Sequence, residues 1–321
     1  MVAERRVKLG VLLPTRGVLL WNRGVPEAGP VVDLAVRAEE LGYDSVFVGD
    51  SVLAKPRLEA LAVLSAVAAK TRRVGLGTAV FLPCLRHPVF LACQVATLDV
   101  ISGGRVILGV GIGPPKPAEC EHEFETLGVP FRKRMFYLQE HLTLMRRLWT
   151  EEKVTFEGRY YRCREVTVEP RPIQRPLPVW IASATAETAW RRVARFGDGW
   201  FPNRVTPEEF AATWGKIGAE ARALGRDPGT PAWYMTTCLD DSKEAAMKNA
   251  EEFLLAYYYT PFWGESIEPW GVFGPAPDLI ERIIAFIAAG CRHISLRFTH
   301  KDQLGQLERF TREVLPHLKL G

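Results

Sequence analysis

Residues 99–113 read DVISGGRVILGVGIG. Ser102-Gly103-Gly104 stops a helix, and Arg105–Val110 follows as a strand. Successive side chains of a strand point to opposite faces. Val106, Leu108, Val110 and Ile112 therefore share one face, all of it branched and apolar. Arg105, Ile107, Gly109, Gly111 and Gly113 share the other, which shrinks to bare backbone toward the C-terminal end. A row of glycines in a strand marks close approach by another backbone or by a ligand. Two readings are open: a tight crossing inside the core, or a flat ligand lying against the strand end. The C-terminal ends of strands are where α/β proteins place their active sites.

Outward from this stretch, strand and helix signals alternate. Upstream, Val7–Leu13, Ser45–Val48 and Val74–Thr78 read as strands; Val31–Leu41, Leu58–Ala69 and Val89–Val100 read as helices. Downstream, Leu138, Leu142, Met145 and Trp149 fall at i, i+4, i+7 and i+11, one stripe of a helix. Lys153–Val168 reads as an excursion of two strands turning at Glu157-Gly158. Pro178–Ala182, Gly199–Phe201, Trp233–Leu239 and Arg292–Phe298 are four more strands. Helices at Glu187–Arg195, Thr206–Leu224, Ser242–Ala256, Leu279–Ala288 and Gln303–Leu315 follow them, the third and fourth both lying between the last two strands. The first residues of the second carry a capping box with proline at the first helical position. Eight strands, each followed by a helix, imply a parallel sheet covered by helices. The fold expected is an α/β (β/α)8 TIM barrel. One domain is expected over residues 1–321, with insertions in the βα loops at about 114–130, 151–178 and 257–275.

The totals narrow the function classes. An apolar share of 47% in 321 residues suits a globular chain with a sizeable core. A net charge of +4 without a basic block predicts no nucleic-acid partner. No apolar run reaches the length needed to span a bilayer, so no membrane association is expected. The six cysteines include no C-x-x-C, which predicts reduced thiols and a cytoplasmic protein. No H-E-x-x-H, Walker A or G-x-S-x-G is present, and no metal site is expected. Pro114 breaks what would otherwise begin G-x-G-x-x-G, so a Rossmann site for NAD is not expected.

Candidate site residues follow from the strand ends. Asp50 and Ser51 follow the second strand and are the candidate catalytic residues. Ala79 and Val80 follow the third, and Gly111 and Gly113 the fourth. Ser183-Ala184-Thr185 links the fifth to its helix and offers two hydroxyls beside free N–H groups, an arrangement that binds phosphate or simply caps the helix. His87 and Arg297 complete the list: the first could fix a loop or touch a ligand, the second bind an anion or form a salt bridge. Tyr257, Tyr258, Tyr259, Phe262, Trp263, Trp270 and Phe273 crowd the 257–275 loop, as a lid or as an interface.

Several segments together resemble the luciferase-like family of flavin-dependent monooxygenases and coenzyme F420-dependent oxidoreductases. They are GYDSVFVGD (42–50), RRVGLGTAVFLPCLRHP (72–88), ATLDVISGGRVILGVGIG (96–113), LGVPFRKR, FEGRYY, ARFGDGWF and GVFGPAPDLIERI, in matching order. The resemblance implies a TIM barrel holding FMN or F420 at its C-terminal mouth. It implies a cis peptide at Ala79–Val80 backing the cofactor ring, and a cofactor phosphate at Ser183-Ala184-Thr185. Asp50, Ser51, Gly111 and Gly113 would lie around that ring. The substrate implied is a small organic molecule, oxidised or reduced by hydride transfer with F420, or oxygenated with reduced FMN from a partner flavin reductase. Family habit implies a homodimer or higher assembly. Two departures stand out. F420-dependent members often carry Asp-His where this chain has Asp50-Ser51, and luciferase has a phosphate-binding arginine where it has Ile112. The alternatives are a non-catalytic flavin-binding protein and a sugar-phosphate isomerase or aldolase. The latter would need an interior lysine or a carboxylate pair that the strand ends do not supply.

Overall fold

The structure is a computed structural model that describes residues 6–21, 24–114, 118–258 and 266–321. In chain order its first strands and helices are β1 (Lys8–Leu12), α1 (Gly17–Leu20), α2 (Gly29–Glu40), β2 (Ser45–Val48), α3 (Ala60–Lys70), β3 (Gly75–Thr78), α4 (Pro88–Ser102) and β4 (Val106–Val110). Then come α5 (Ala118–Thr126), α6 (Arg134–Thr150), β5 (Val154–Glu157), β6 (Arg162–Val166), β7 (Val179–Ile181), α7 (Glu187–Phe196), β8 (Gly199–Trp200) and α8 (Pro207–Ala223). The last are β9 (Thr230–Leu239), α9 (Lys243–Tyr258), β10 (Gly271–Gly274), α10 (Ala276–Ala288), β11 (His293–Phe298) and α11 (Gln303–Glu313).

The sheet closes on itself. Parallel pairings run β1-β2-β3-β4-β7-β8-β9-β11, and β11 returns to β1 with Lys8 opposite His293. This is the expected eight-stranded TIM barrel. Its strands are buried on both faces, as parallel strands under a coat of helices must be: β2 and β11 have every residue buried. Side chains fill the barrel axis. Phe47, Trp180 and Phe201 meet with ring centroids 5.6–6.1 Å apart, and His293 packs edge-on to Trp180 at 4.9 Å. Gly10 and Gly77 flank Phe47 on the neighbouring strands, and a β-carbon at either would overlap its ring.

Outside the barrel, the stripe of Leu138, Leu142, Met145 and Trp149 is buried as its spacing predicts. Trp149 also donates its indole N–H to the Ala92 carbonyl on α4 at 3.0 Å. The excursion after α6 is the antiparallel hairpin β5–β6. Glu140 pins it by accepting from the backbone of Arg159, Tyr160 and Tyr161.

The 257–275 segment differs from a loop. Tyr257 and Tyr258 are the last turn of α9, and Gly271–Gly274 is a strand, β10, paired with the C-terminal half of β9. Glycines at both ends and a β-branched–aromatic pair between them hid this strand among turn signals. Tyr259, Phe262 and Trp263 lie outside the described residues. The first insertion likewise contains a helix, α5. Among the described residues, no helix is long and apolar enough to cross a membrane.

Candidate active site at the C-terminal mouth

The glycine row of β4 divides into three separate uses. A β-carbon at Gly109 would overlap the Thr78 carbonyl, and Thr78 Oγ1 donates to the Gly109 carbonyl at 2.7 Å. Gly109 therefore answers to the core-crossing reading. Gly113 has φ +73°, a left-handed turn position beside Phe124. Gly111 alone faces the segment after β3: its β-carbon would sit 2.7 Å from Val80 Cγ2 and touch nothing else but Val80 Cβ.

That segment is held rigidly. The Ala79–Val80 peptide is cis, at the bond the resemblance indicated. Phe81 N–H donates to the Gly109 carbonyl at 2.8 Å, and Gly111 N–H donates to the Phe81 carbonyl at 2.9 Å. Ala79 and Val80 thus form a ledge across the barrel top, above the apolar cluster of Phe47, Trp180 and Phe201.

Asp50 secures the ledge from the side. Its carboxylate accepts Leu82 N–H at 3.0 Å and takes a bidentate grip from Arg86, at 2.5 and 2.9 Å. Arg86 also stacks over Phe81, 4.3 Å from the ring centroid. Burial pushes the Asp50 carboxyl above its ordinary value, against the opposing pull of Arg86 and the Leu82 N–H. Ser51 donates to Glu123 Oε1 at 2.8 Å and accepts Lys55 N–H at 2.9 Å. The same Glu123 oxygen receives the N–H groups of Val52, Leu53 and Ala54. Both residues proposed from sequence as an acid or base are thus committed to holding loops. Arg86 and Glu123, which do the holding, were not singled out from sequence. Each lies far along the chain from its partner, and only the closed barrel brings them together.

Ser183, Ala184 and Thr185 form the turn between β7 and α7. The N-cap of α7 is Ala186, with no side-chain cap, so neither hydroxyl serves as the ordinary cap. Among the described residues, the backbone N–H groups of Ser183, Ala184 and Thr185 have no protein acceptor. Ser183 Oγ accepts Trp200 Nε1 at 3.1 Å, which leaves its own proton to give. Hydroxyls, free amides and the positive end of a ten-residue helix make a donor-rich loop suited to a phosphate. His87 does not join the site. Its Nδ1 accepts Val89 N–H at 3.4 Å and caps α4.

A cationic cluster lies at the same end of the barrel, with Arg57 and the Ala79 carbonyl both close to Gly49. Arg16 and Arg297 are 1% and 4% exposed, and Lys55 is 8% exposed. Their charges rest on aromatic faces. Arg297 lies 4.2 Å from the centroid of Tyr257, with Arg16 at 5.3 Å and Arg57 at 5.6 Å from the same ring. Lys55 Nζ lies 4.9 Å from the centroid of Tyr258, whose hydroxyl accepts Arg297 Nη1 at 2.8 Å. Burial raises the Tyr257 phenol, yet Arg57, Arg297 and Arg16 outweigh it and bring the group down to about 8. A cavity of about 20 Å³ lies beside Arg16, Tyr257 and Arg297, lined also by Pro14, Gly49 and Gln303. Among the described residues, no cluster of histidine, cysteine and carboxylate side chains could hold a metal ion.

Comparison with known proteins agrees with this geometry. A sequence profile of luciferase-like monooxygenases matches residues 7–293. The chain is 31% identical to an F420-dependent glucose-6-phosphate dehydrogenase of Intrasporangium calvum, over 93% of this chain and 98% of that one. It is 32% identical to a protein of the same description from Beutenbergia cavernae, over 88% and 91%. Among solved structures it resembles a monooxygenase of Streptomyces bottropensis, with TM-score 0.80 and 25% identity over 97% and 99% of the two chains. An F420-dependent secondary alcohol dehydrogenase bound to an F420–acetone adduct superposes with TM-score 0.81 at 22% identity, over 98% and 99%, a likeness of fold.

Proposed function

The chain belongs to the luciferase-like monooxygenase family, and from that premise we propose that it is an F420-dependent oxidoreductase transferring hydride to or from a small organic substrate. Its class is that of flavin- or F420-dependent oxidoreductases. F420 is preferred because the curated relatives at 31–32% identity act with F420 across nearly their whole length.

The observation that carries the reading is a pairing at one end of the barrel. A ledge at Ala79–Val80, with Val80 packed directly against Gly111, stands with a loop of unused donors at Ser183–Thr185. The ledge fits a flat ring and the loop fits a phosphate, so the residues present suit the cofactor. Bound there, the deazaflavin supplies the hydride chemistry. Val80 would support its ring, Gly111 would let Val80 sit where it does by lacking a side chain, and Ser183, Ala184 and Thr185 would anchor its phosphate. Asp50, through Arg86 and Leu82, positions the ledge. Tyr257 and Tyr258, against whose rings the buried cations rest, would help keep water from the reacting atoms.

Titrating the purified protein with F420 and with FMN, each followed by fluorescence, tests the choice. F420 should bind at one equivalent and more tightly than FMN. Tighter binding of FMN, with oxygen consumption when a flavin reductase is supplied, would replace the proposal by the monooxygenase reading. Catalysis is distinguished from mere storage by turnover of F420 with any small alcohol or carbonyl compound.

A further inference from the structure

We propose that the cluster around Arg297 is a subsite for an oxyanion carried by the substrate, separate from the phosphate loop at Ser183–Thr185. This deepens the function proposed above and rests on it for the word substrate; the binding itself is tested without cofactor.

Arg297 stands at the C-terminal end of β11 and is almost wholly buried. One of its nitrogens is bonded to Tyr258, while Nε and Nη2 have no partner among the described residues. Those two N–H groups form one edge of the guanidinium fork, the edge that grips a carboxylate or phosphate in parallel. Arg297 lines the cavity described above, together with Tyr257 and Gln303. Sequence leaves two options for this arginine, an anion or a salt bridge across the mouth. Among the described residues the second finds no partner: Arg297, Arg57 and Lys55 form no ion pair.

Among the described residues, Asp50, Glu59 and Glu123 near these cations are already spent. Asp50 is held by Arg86 and by Leu82 N–H. Glu59 pairs with Arg86 and caps α3. Glu123 is taken up by Ser51 and the backbone of the loop that follows. Beyond neutral hydrogen-bond acceptors, the cations have the faces of Tyr257, Tyr258 and Phe253, whose quadrupoles offset a charge only in part. A buried cation without a counter-ion is unfavourable, and several together are more so. An anion entering the cavity meets Arg297 and Arg16 directly, and its charge offsets those of Arg57 and Lys55 around the same tyrosines. The lowered Tyr257 phenol reports the same field, since it too is a group that gains by becoming negative.

The test uses inorganic phosphate as probe on the full chain without cofactor, read by calorimetry and by Tm. The wild-type protein should bind phosphate at this cluster, with a rise in Tm, beside any phosphate taken by the Ser183–Thr185 loop. Arg297→Met should weaken that binding at least tenfold. It should also match or exceed the wild-type Tm in phosphate-free buffer, because an unpaired buried charge has gone. Arg297→Lys, which keeps the charge but loses the fork, should fall between the two. The double variant Ser183→Ala/Thr185→Ala should keep the phosphate response, and so should protein saturated with F420. An equal phosphate response in wild type and Arg297→Met would overturn the proposal. So would a lower Tm in Arg297→Met with phosphate binding retained, which would make the arginine structural. Competition between F420 and phosphate, lost in Arg297→Met, would assign the cluster to the cofactor and overturn it too. Failure of F420 to bind, with the phosphate response intact, would count against the cofactor proposal alone.

Discussion

A β-carbon placed on Gly111 would lie 2.7 Å from Val80 Cγ2, closer than packed carbons come, so the last turn of β4 and the ledge after β3 leave no room for a side chain between them. Gly111 carries no positive φ, so a larger residue is resisted by this contact and not by its backbone. Gly111→Ala should push Val80 and lower cofactor affinity with little loss of stability. Gly111→Val should remain folded, lose about 1–3 kcal/mol to overpacking, and bind F420 or FMN far more weakly. Measuring Tm and cofactor affinity on the same variants separates the two effects. Unchanged affinity in the molecules that fold would return Gly111 to the core-crossing role that Gly109 holds.

Ser183 and Thr185 are free to bind because Ala186, not either of them, caps α7. Removing both hydroxyls leaves the turn and its amides in place. Ser183→Ala/Thr185→Ala should weaken cofactor binding by roughly 1.5–3 kcal/mol for each hydrogen bond lost to a charged phosphate. Stability should change little, apart from the loss of Trp200's bond to Ser183 Oγ, since its Nε1 also donates to the Ser183 carbonyl at 3.2 Å. An unchanged dissociation constant would place the phosphate elsewhere.

The barrel was legible because its signals are local and periodic. Leu138, Leu142, Met145 and Trp149 declare a helix face without any knowledge of what they touch, and each strand ends at a glycine, a proline or a polar residue. β10 was not legible, because four residues with glycine at both ends carry no period and the strand owes its existence to the long β9 beside it. The site divides along the same line. Glycines at 109, 111 and 113 announce a special strand end, but only the neighbouring Thr78, Val80 and Phe124 assign each its use. Asp50 and Ser51 sit where chemistry is expected, yet their partners Arg86 and Glu123 lie 36 and 72 residues away. No spacing rule spans such distances.

Asp50 offers a direct contrast between a catalytic and a positioning carboxylate. Asp50→Asn keeps the shape and still accepts Leu82 N–H, but it leaves Arg86 buried without its main counter-charge. Breaking a buried pair from one side costs about 3–5 kcal/mol; Arg86 keeps Glu59 as a second, exposed partner, so the lower end of that range is expected. Cofactor affinity should fall alongside, because Leu82 and Phe81 follow the ledge. Urea unfolding and F420 titration check both. A variant of wild-type stability with lost turnover alone would instead make Asp50 the reacting acid or base.

Two histidines set the acid limb of stability. Burial lowers His141 and His293 to about 3 each, the first bonded to the Arg86 carbonyl at 3.2 Å and the second to Ser45 Oγ at 2.8 Å. Both are neutral in the native protein down to that value, while the unfolded chain takes up their protons near pH 6.5. The unfolded state therefore binds more protons between these limits, and stability falls as pH falls through that window. Above pH 7 the two residues contribute no pH dependence. Between pH 6.5 and pH 5 each should cost about 2 kcal/mol, at roughly 1.4 kcal/mol per pH unit. Staying above pH 5 keeps ordinary carboxylates out of the titration. His141→Gln can still donate to the Arg86 carbonyl but cannot take the proton, so it should remove about half of the slope. Urea unfolding at pH 7, 6 and 5 for both proteins measures it. Equal slopes would mean that His141 is protonated in the native state, and that its contact with the Arg86 carbonyl, next to the ledge, is made by a cation.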